Sequence, residues 1–124
     1  MHIEKTKAFY QQLESGELCD CVYCQNYIRE IKSAYPEAAE FLSQLGVNIE
    51  KPFEVMLPES DEADTVVYPC VQYIIYGTPD DFTETTIGSV HIGIAGPHPS
   101  TAIKEEHFVI EIAPIRLKWV MQTN

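Results

Sequence analysis

The sequence predicts an α+β fold, with about three N-terminal helices packed on a mostly antiparallel sheet of three to five strands. Three observations point there. Apolar residues recur at three- and four-residue spacing through the first 45 positions. From Thr65 onward the spacing changes to alternation, in segments rich in Val, Ile and Tyr. Helices followed by strands, without β–α alternation, is the order of domains that segregate the two. The 124 residues have the size of one domain, 1–124, and bury enough surface to need no disulfide or structural metal for stability.

The elements follow in chain order. Residues 2–14 hold Thr6, Phe9, Tyr10 and Leu13 on one helical face, and "ESGE" ends that pattern. Asp20 is a good N-cap for a second helix over Cys21–Ser33. Its apolar seam runs Cys21, Cys24, Ile28, Ile31, Tyr35. Pro36 ends it and opens a third helix with the stripe Ala38, Phe41, Leu42, Leu45, stopped by Gly46. "PFEVML" (52–57) reads as a short strand and "PESDEAD" as a mobile loop. Thr65–Tyr76 reads as a strand in which Pro69, lacking an N–H, marks an edge, a bulge or a strand start. Ile87–Ile94, His107–Ala113 and residues 115–119 alternate as strands, and "AGPHPSTAIKEE" connects two of them as a loop.

The charge balance excludes some functions. Eight Lys and Arg stand against 19 Asp and Glu, a formal net charge of −11. Nine acidic residues and one basic residue, Lys51, lie between Glu50 and Glu84. Such a field repels phosphate backbones and anionic lipid, so neither nucleic acid nor a membrane surface is an expected partner. The opening "MHIEKTKAFYQQLESGEL" has no signal-peptide character, and no apolar run is long enough to span a membrane. A reducing cytoplasm is the expected location, where cysteines serve as thiols or ligands rather than disulfides.

Three of the four cysteines fall in "LCDCVYCQN" (Leu18–Asn26). As a metal site, Cys19, Cys21 and Cys24 supply three thiolates, and zinc would draw a fourth ligand from Cys70, His91, His98 or His107. Only one Cys knuckle is present, which is half of the usual zinc pattern. As a thiol-redox site, Cys21-Val22-Tyr23-Cys24 is a C-x-x-C on a first helical turn, where the helix dipole favours a thiolate. Asp20 opposes that, and no buried strand precedes the motif. As packing, Cys21 and Cys24 head the apolar seam, and with Asp20 as cap, Cys19 and Cys24 occupy the two positions of a hydrophobic staple. Packing explains every cysteine, Cys70 in its apolar strand included, so no cofactor is required, and zinc is the alternative.

"CDCVYCQNY", "YPEAAEFLSQLGVNIEKPFEV" and "YIIYG" together resemble a small family of uncharacterised bacterial proteins. That family carries a Cys-x-x-Cys-x-Asn-aromatic stretch and a Leu-Gly-hydrophobic-polar-x-x-x-Pro segment. The resemblance spans roughly residues 19 to 77. It implies no chemistry, and it singles out Cys21, Cys24, Asn26, Pro52 and Glu54. A second candidate site is a polar sheet face with Gln72, His91 and Glu111, where a His beside a carboxylate would suit acid–base work. Phosphate loops, nucleophile elbows, H-E-x-x-H motifs and calcium loops are missing from the sequence. The expected function is a small non-catalytic binding or interaction protein, with a protein partner or self-association through a sheet edge. The alternative is a metal-binding or thiol-redox protein using Cys19, Cys21 and Cys24.

Overall fold

The computed structural model describes residues 1–121. Three helices, α1 (Ile3–Gln12), α2 (Val22–Ala34) and α3 (Pro36–Gln44), precede eight strands. These are β1 (Glu54–Val55), β2 (Glu59–Glu62), β3 (Thr65–Tyr68), β4 (Val71–Tyr76), β5 (Thr85–Ile87), β6 (Val90–Ile94), β7 (His107–Ala113) and β8 (Ile115–Lys118). They form two antiparallel sheets, one in the order β1-β4-β7-β6-β5 and one in the order β2-β3-β8. The α+β class is therefore present, with two sheets in place of one. Among the described residues no helix is long and apolar enough to cross a membrane.

The split into two sheets has a local cause. Tyr68 pairs with Ile115 in one sheet and Val71 pairs with Ile112 in the other. The register between Thr65–Tyr76 and His107–Lys118 is the same on both sides of this gap, so it sets Pro69 opposite Pro114. Neither proline can donate to a ladder, and the two together interrupt one long ribbon at its middle. One half then pairs with β1 and β6, and the other with β2. The expected single strand Thr65–Tyr76 is thus two strands in two sheets. The segment read as Ile87–Ile94 is likewise a hairpin, turning at Gly88 (φ +61°) between β5 and β6.

"PESDEAD" is not a loop. Residues Glu59–Glu62 pair with β3 as a strand carrying a bulge, and Asp61 reaches across to Arg116 Nε at 2.8 Å. The Glu62 N–H donates to Thr65 Oγ1 at 3.2 Å, which closes the turn. Acidic residues disfavour a strand by propensity, but pairing with the apolar β3 overrides that preference.

The core lies between the helices and one face of the five-stranded sheet. Val71, Tyr73, Ile75, Ile110, Ile112 and Ile92 come from the sheet, and Tyr10, Tyr27, Ile31, Ala38 and Leu42 from the helices. α3 ends as the sequence predicts. The Gly46 N–H donates to Ser43 O and the Val47 N–H to Leu42 O, with Gly46 at φ +87°. A Cβ at Gly46 would sit 2.6 Å from Ile3 O, so the turn packs directly on α1.

Both sheets end against helices, and side chains complete the strand edges there. Beyond the two-residue β1, the outer edge of β4 meets α1. Tyr10 Oη donates to Ile74 O at 2.8 Å and accepts from Ile74 N at 2.9 Å. Thr6 Oγ1 accepts from Tyr76 N at 2.9 Å, and the His2 N–H donates to Tyr76 O. On the outer edge of β8 the same device recurs from α2. Tyr35 Oη accepts from Arg116 N at 2.9 Å and donates to Arg116 O at 3.2 Å. Asn26, fully buried, donates to Lys118 O at 3.1 Å and accepts from Val120 N at 2.8 Å.

The two tyrosines differ in surroundings, which separates their energetic roles. The Tyr10 pair is buried, so removing its hydroxyl leaves Ile74 N–H and C=O without partners. Tyr10→Phe is expected to destabilise by about 1–3 kcal/mol. At Tyr35, water reaches the freed groups, so Tyr35→Phe is expected to cost less than about 1 kcal/mol. Urea midpoints of the two variants check this ordering, and an equal or reversed effect contradicts it.

Candidate functional site

The Cys19–Cys24 segment leads into α2, which its buried residues Cys24, Asn26, Tyr27 and Ile31 fix against the core and β8. The helix starts one residue later than the sequence suggests. Cys21, not Asp20, is the N-cap (φ −65°, ψ 159°), and its sulfur accepts from the Cys24 N–H at 3.5 Å. The Asp20 carbonyl instead accepts from Gln25 Nε2 at 2.6 Å. This moves Cys24 to the third helical position, so Cys19 and Cys24 do not occupy the two positions of a hydrophobic staple. Cys19 is exposed, Cys21 half-buried and Cys24 buried at 7% exposure.

The shift of register gathers the sulfurs. The Sγ atoms of Cys19, Cys21 and Cys24 all lie within 4.8 Å of one another, close enough to hold one metal ion. Tetrahedral zinc with bonds of about 2.3 Å places its sulfurs about 3.8 Å apart, within that limit. Among the described residues no fourth His, Cys or carboxylate joins them. The four candidates for that position are engaged elsewhere or lie apart. Cys70 sits beside Glu111, His91 is 3.6 Å from Glu84 and His98 packs on Phe53. His107 bonds Thr101 at 2.6 Å and Glu105 O at 2.7 Å.

Cys21 and Cys24 are electrostatically unequal. Desolvation works against the Cys21 thiolate, but the Cys24 N–H, the Cys19 and Cys24 thiols and the Tyr23 N–H outweigh it. They hold Cys21 below the ordinary thiol range. Burial, then the neighbouring sulfurs, pushes Cys24 well above that range. Tyr68 borders the pair; its hydroxyl donates to Tyr23 O at 2.6 Å, and burial lifts it to about 12. Tyr23, between the two cysteines, lies 5.7 Å ring to ring from Trp119. The two rings flank a groove of about 290 Å³ completed by Pro58, Glu62 and Val66.

Compared with protein-family models, curated proteins and solved structures, the chain matches none. The site is therefore judged on its geometry.

The second candidate set is distributed along one face of the five-stranded sheet. Gln72 pairs directly with Glu111, while His91 pairs with Ala113, two residues further along β7, and Gly93 stands opposite Glu111. The partners of His91 are Glu84 Oε2 at 3.6 Å and Thr86 Oγ1 at 3.5 Å. Gln72 is 6% exposed, because the loop after β6 covers it. Its Nε2 donates to Pro97 O at 3.2 Å, and its Oε1 has no partner. The Gly96 N–H donates to Glu111 Oε1 at 3.4 Å. Cys70 is a neighbour that the sequence did not suggest for this set. Burial, then the Glu111 carboxylate, pushes its thiol up to about 12. Its only sequence signal is that residues two apart on a strand share a face.

These shifts fix a sign for the pH dependence of stability. Cys24 and Cys70 keep their protons to higher pH when folded than when unfolded, where a thiol titrates near 8.5. Their stabilisation is complete below that pH and is lost as pH rises. Cys21 has the opposite sign, its contribution being present above the unfolded value and lost as pH falls through the folded one. Above the unfolded value Cys21 is ionised in both states, so only the two raised thiols act there. The urea midpoint is expected to rise slightly as pH approaches about 8.5 and to fall from about pH 8.5 to 10.5. A midpoint rising over the upper interval contradicts the assignment.

Proposed function

We propose that the protein binds one thiophilic metal ion, zinc in the first instance, through Cys19, Cys21 and Cys24. The observation behind this reading is the convergence of three sulfurs within 4.8 Å at the start of α2. The positive end of the helix favours thiolates there, and a bound divalent ion favours them further. Three thiolates and one solvent position would complete four-coordination. The resemblance to the bacterial family supports the reading to the extent that Cys21 and Cys24 belong to its pattern. A bacterial cytoplasm, where thiols stay reduced, is the compartment it requires.

The test is metal content and titration. One equivalent of zinc per chain is expected, replaceable by cadmium with an ultraviolet sulfur-to-metal charge-transfer band. Cys21→Ser and Cys24→Ser are each expected to weaken binding by at least about 100-fold, with Cys70→Ser unchanged. Binding that survives all three substitutions at Cys19, Cys21 and Cys24 contradicts the proposal. Because the thiols must lose protons to bind, affinity is expected to fall as pH drops from about 8 to 6.

A second reading, a protein-interaction module, is favoured by apolar exposure near Tyr23. Met56 is 51% and Leu57 68% exposed, and the chain runs from them into Pro58, which lines the groove that Tyr23 and Trp119 flank. Self-association through this face would appear in sedimentation as a concentration-dependent dimer abolished by Leu57→Lys. A monomer at every concentration contradicts self-association.

A further inference from the structure

The three cysteines differ in ways that metal binding does not require. Cys21 is accessible, caps α2 and receives the Cys24 N–H at 3.5 Å. Cys24, one helical turn on, is 7% exposed, so a disulfide arriving from solvent meets Cys21 before it. Cys21 is the cap residue and Cys24 the third residue of α2, and their two sulfurs lie within 4.8 Å. A disulfide would draw those sulfurs to about 2.0 Å across the first turn of the helix. Cys19 precedes the helix and is exposed.

We propose that the protein also carries out thiol–disulfide exchange on small disulfides, with Cys21 as the attacking thiol and Cys24 as the resolving one. In the first step the Cys21 thiolate attacks one sulfur of the substrate. The substrate S–S bond breaks, one half leaves as a thiolate and takes a proton from water, and the other half stays bonded to Cys21. In the second step Cys24 releases its proton to water and its sulfur attacks Cys21 Sγ. That forms the Cys21–Cys24 disulfide and expels the second half as a thiolate, which is protonated. One disulfide becomes two thiols while one dithiol becomes a disulfide, so electrons and protons balance. Two equivalents of a small monothiol return the pair to the dithiol by the reverse exchange and leave as one symmetrical disulfide. The position of Cys21 at the helix N-terminus, which favours a thiolate nucleophile, and that of Cys24 buried behind it suit these roles.

Charge selects the substrate. Asp20 lies between Cys19 and Cys21, Glu17 precedes them, and Glu62 edges the groove beside Tyr23. With a net charge of −11 over the whole chain, a cationic disulfide is drawn in and an anionic one repelled. Cystamine is therefore the preferred probe over oxidised glutathione.

The inference needs Cys21 and Cys24 but not Cys19, so it can fail or hold independently of metal binding. The experiment treats chelator-stripped full-length protein with cystamine at pH 7, then maps disulfides and adducts by mass spectrometry. Wild type is expected to release two cysteamines and to hold a Cys21–Cys24 bond. Cys21→Ser is expected to slow the initial rate by at least about tenfold, and Cys24→Ser to trap cysteamine on Cys21. Cys70→Ser, which removes a buried thiol outside the cluster, should stay within about twofold of wild type. Cystamine should outpace oxidised glutathione by more than it does with a free thiol, and the gap should narrow at 1 M salt. A bond mapped to Cys19, a fast Cys21→Ser variant or a Cys24→Ser protein that keeps no adduct overturns the proposal. If Cys24→Ser fails to fold, the wild-type disulfide map decides alone. An equal preference for the two disulfides overturns the assigned substrate class.

Discussion

A strand whose outer edge runs into a helix leaves a row of N–H and C=O groups that no ladder completes, and this chain satisfies that row with side chains. The hydroxyl of Tyr10 serves both groups of Ile74, and the hydroxyl of Tyr35 serves both groups of Arg116. Asn26 does the same for Lys118 O and Val120 N with its two amide atoms. A phenol or carboxamide suits the task because it donates and accepts at once. The remaining architecture depends on it. Without these groups, two sheets split by facing prolines would present open edges to water and to other chains.

This edge completion also places the thiols. Asn26 lies two residues beyond Cys24, so the side chain that seals β8 also holds the first turn of α2 against the sheet. Tyr68 on β3 closes the arrangement from the other side by donating to Tyr23 O. Cys24 is consequently both a core residue and a member of the sulfur cluster. The sequence posed these as alternatives, and the helix start reconciles them. A residue at the third position of a helix can have its backbone in the cap and its sulfur beside the cap residue. Desolvation and cap hydrogen bonds then pull the two thiols in opposite directions over one helical turn.

Much of the fold is legible in the residues, and the gaps have physical reasons. The helix seams, Gly46 as a stop and the alternation of His107–Ala113 depend on local spacing, which sequence carries directly. The division into two sheets does not. Pro69 alone signals a disturbance, but its effect depends on Pro114 standing opposite, and register between strands so distant in sequence is a tertiary quantity. The β2 strand was hidden by acidic composition, since its stabilisation comes from β3 and from Arg116 rather than from its own residues. At the cysteines the sequence located the cluster and misplaced the cap by one residue. Caps are decided by competing hydrogen bonds, and here the Cys21 sulfur, rather than the Asp20 carboxylate, accepts the first-turn N–H of Cys24. Gln72 and Glu111 face each other while His91 bonds elsewhere, which again is a matter of register.

The central claim is that Cys19, Cys21 and Cys24 act as one ligand set. X-ray absorption at the zinc edge of the metal-loaded protein tests it most directly. The account predicts three sulfur scatterers at about 2.3 Å and one lighter atom at about 2.0–2.1 Å. A first shell of nitrogen and oxygen alone, or of four sulfurs, would contradict it.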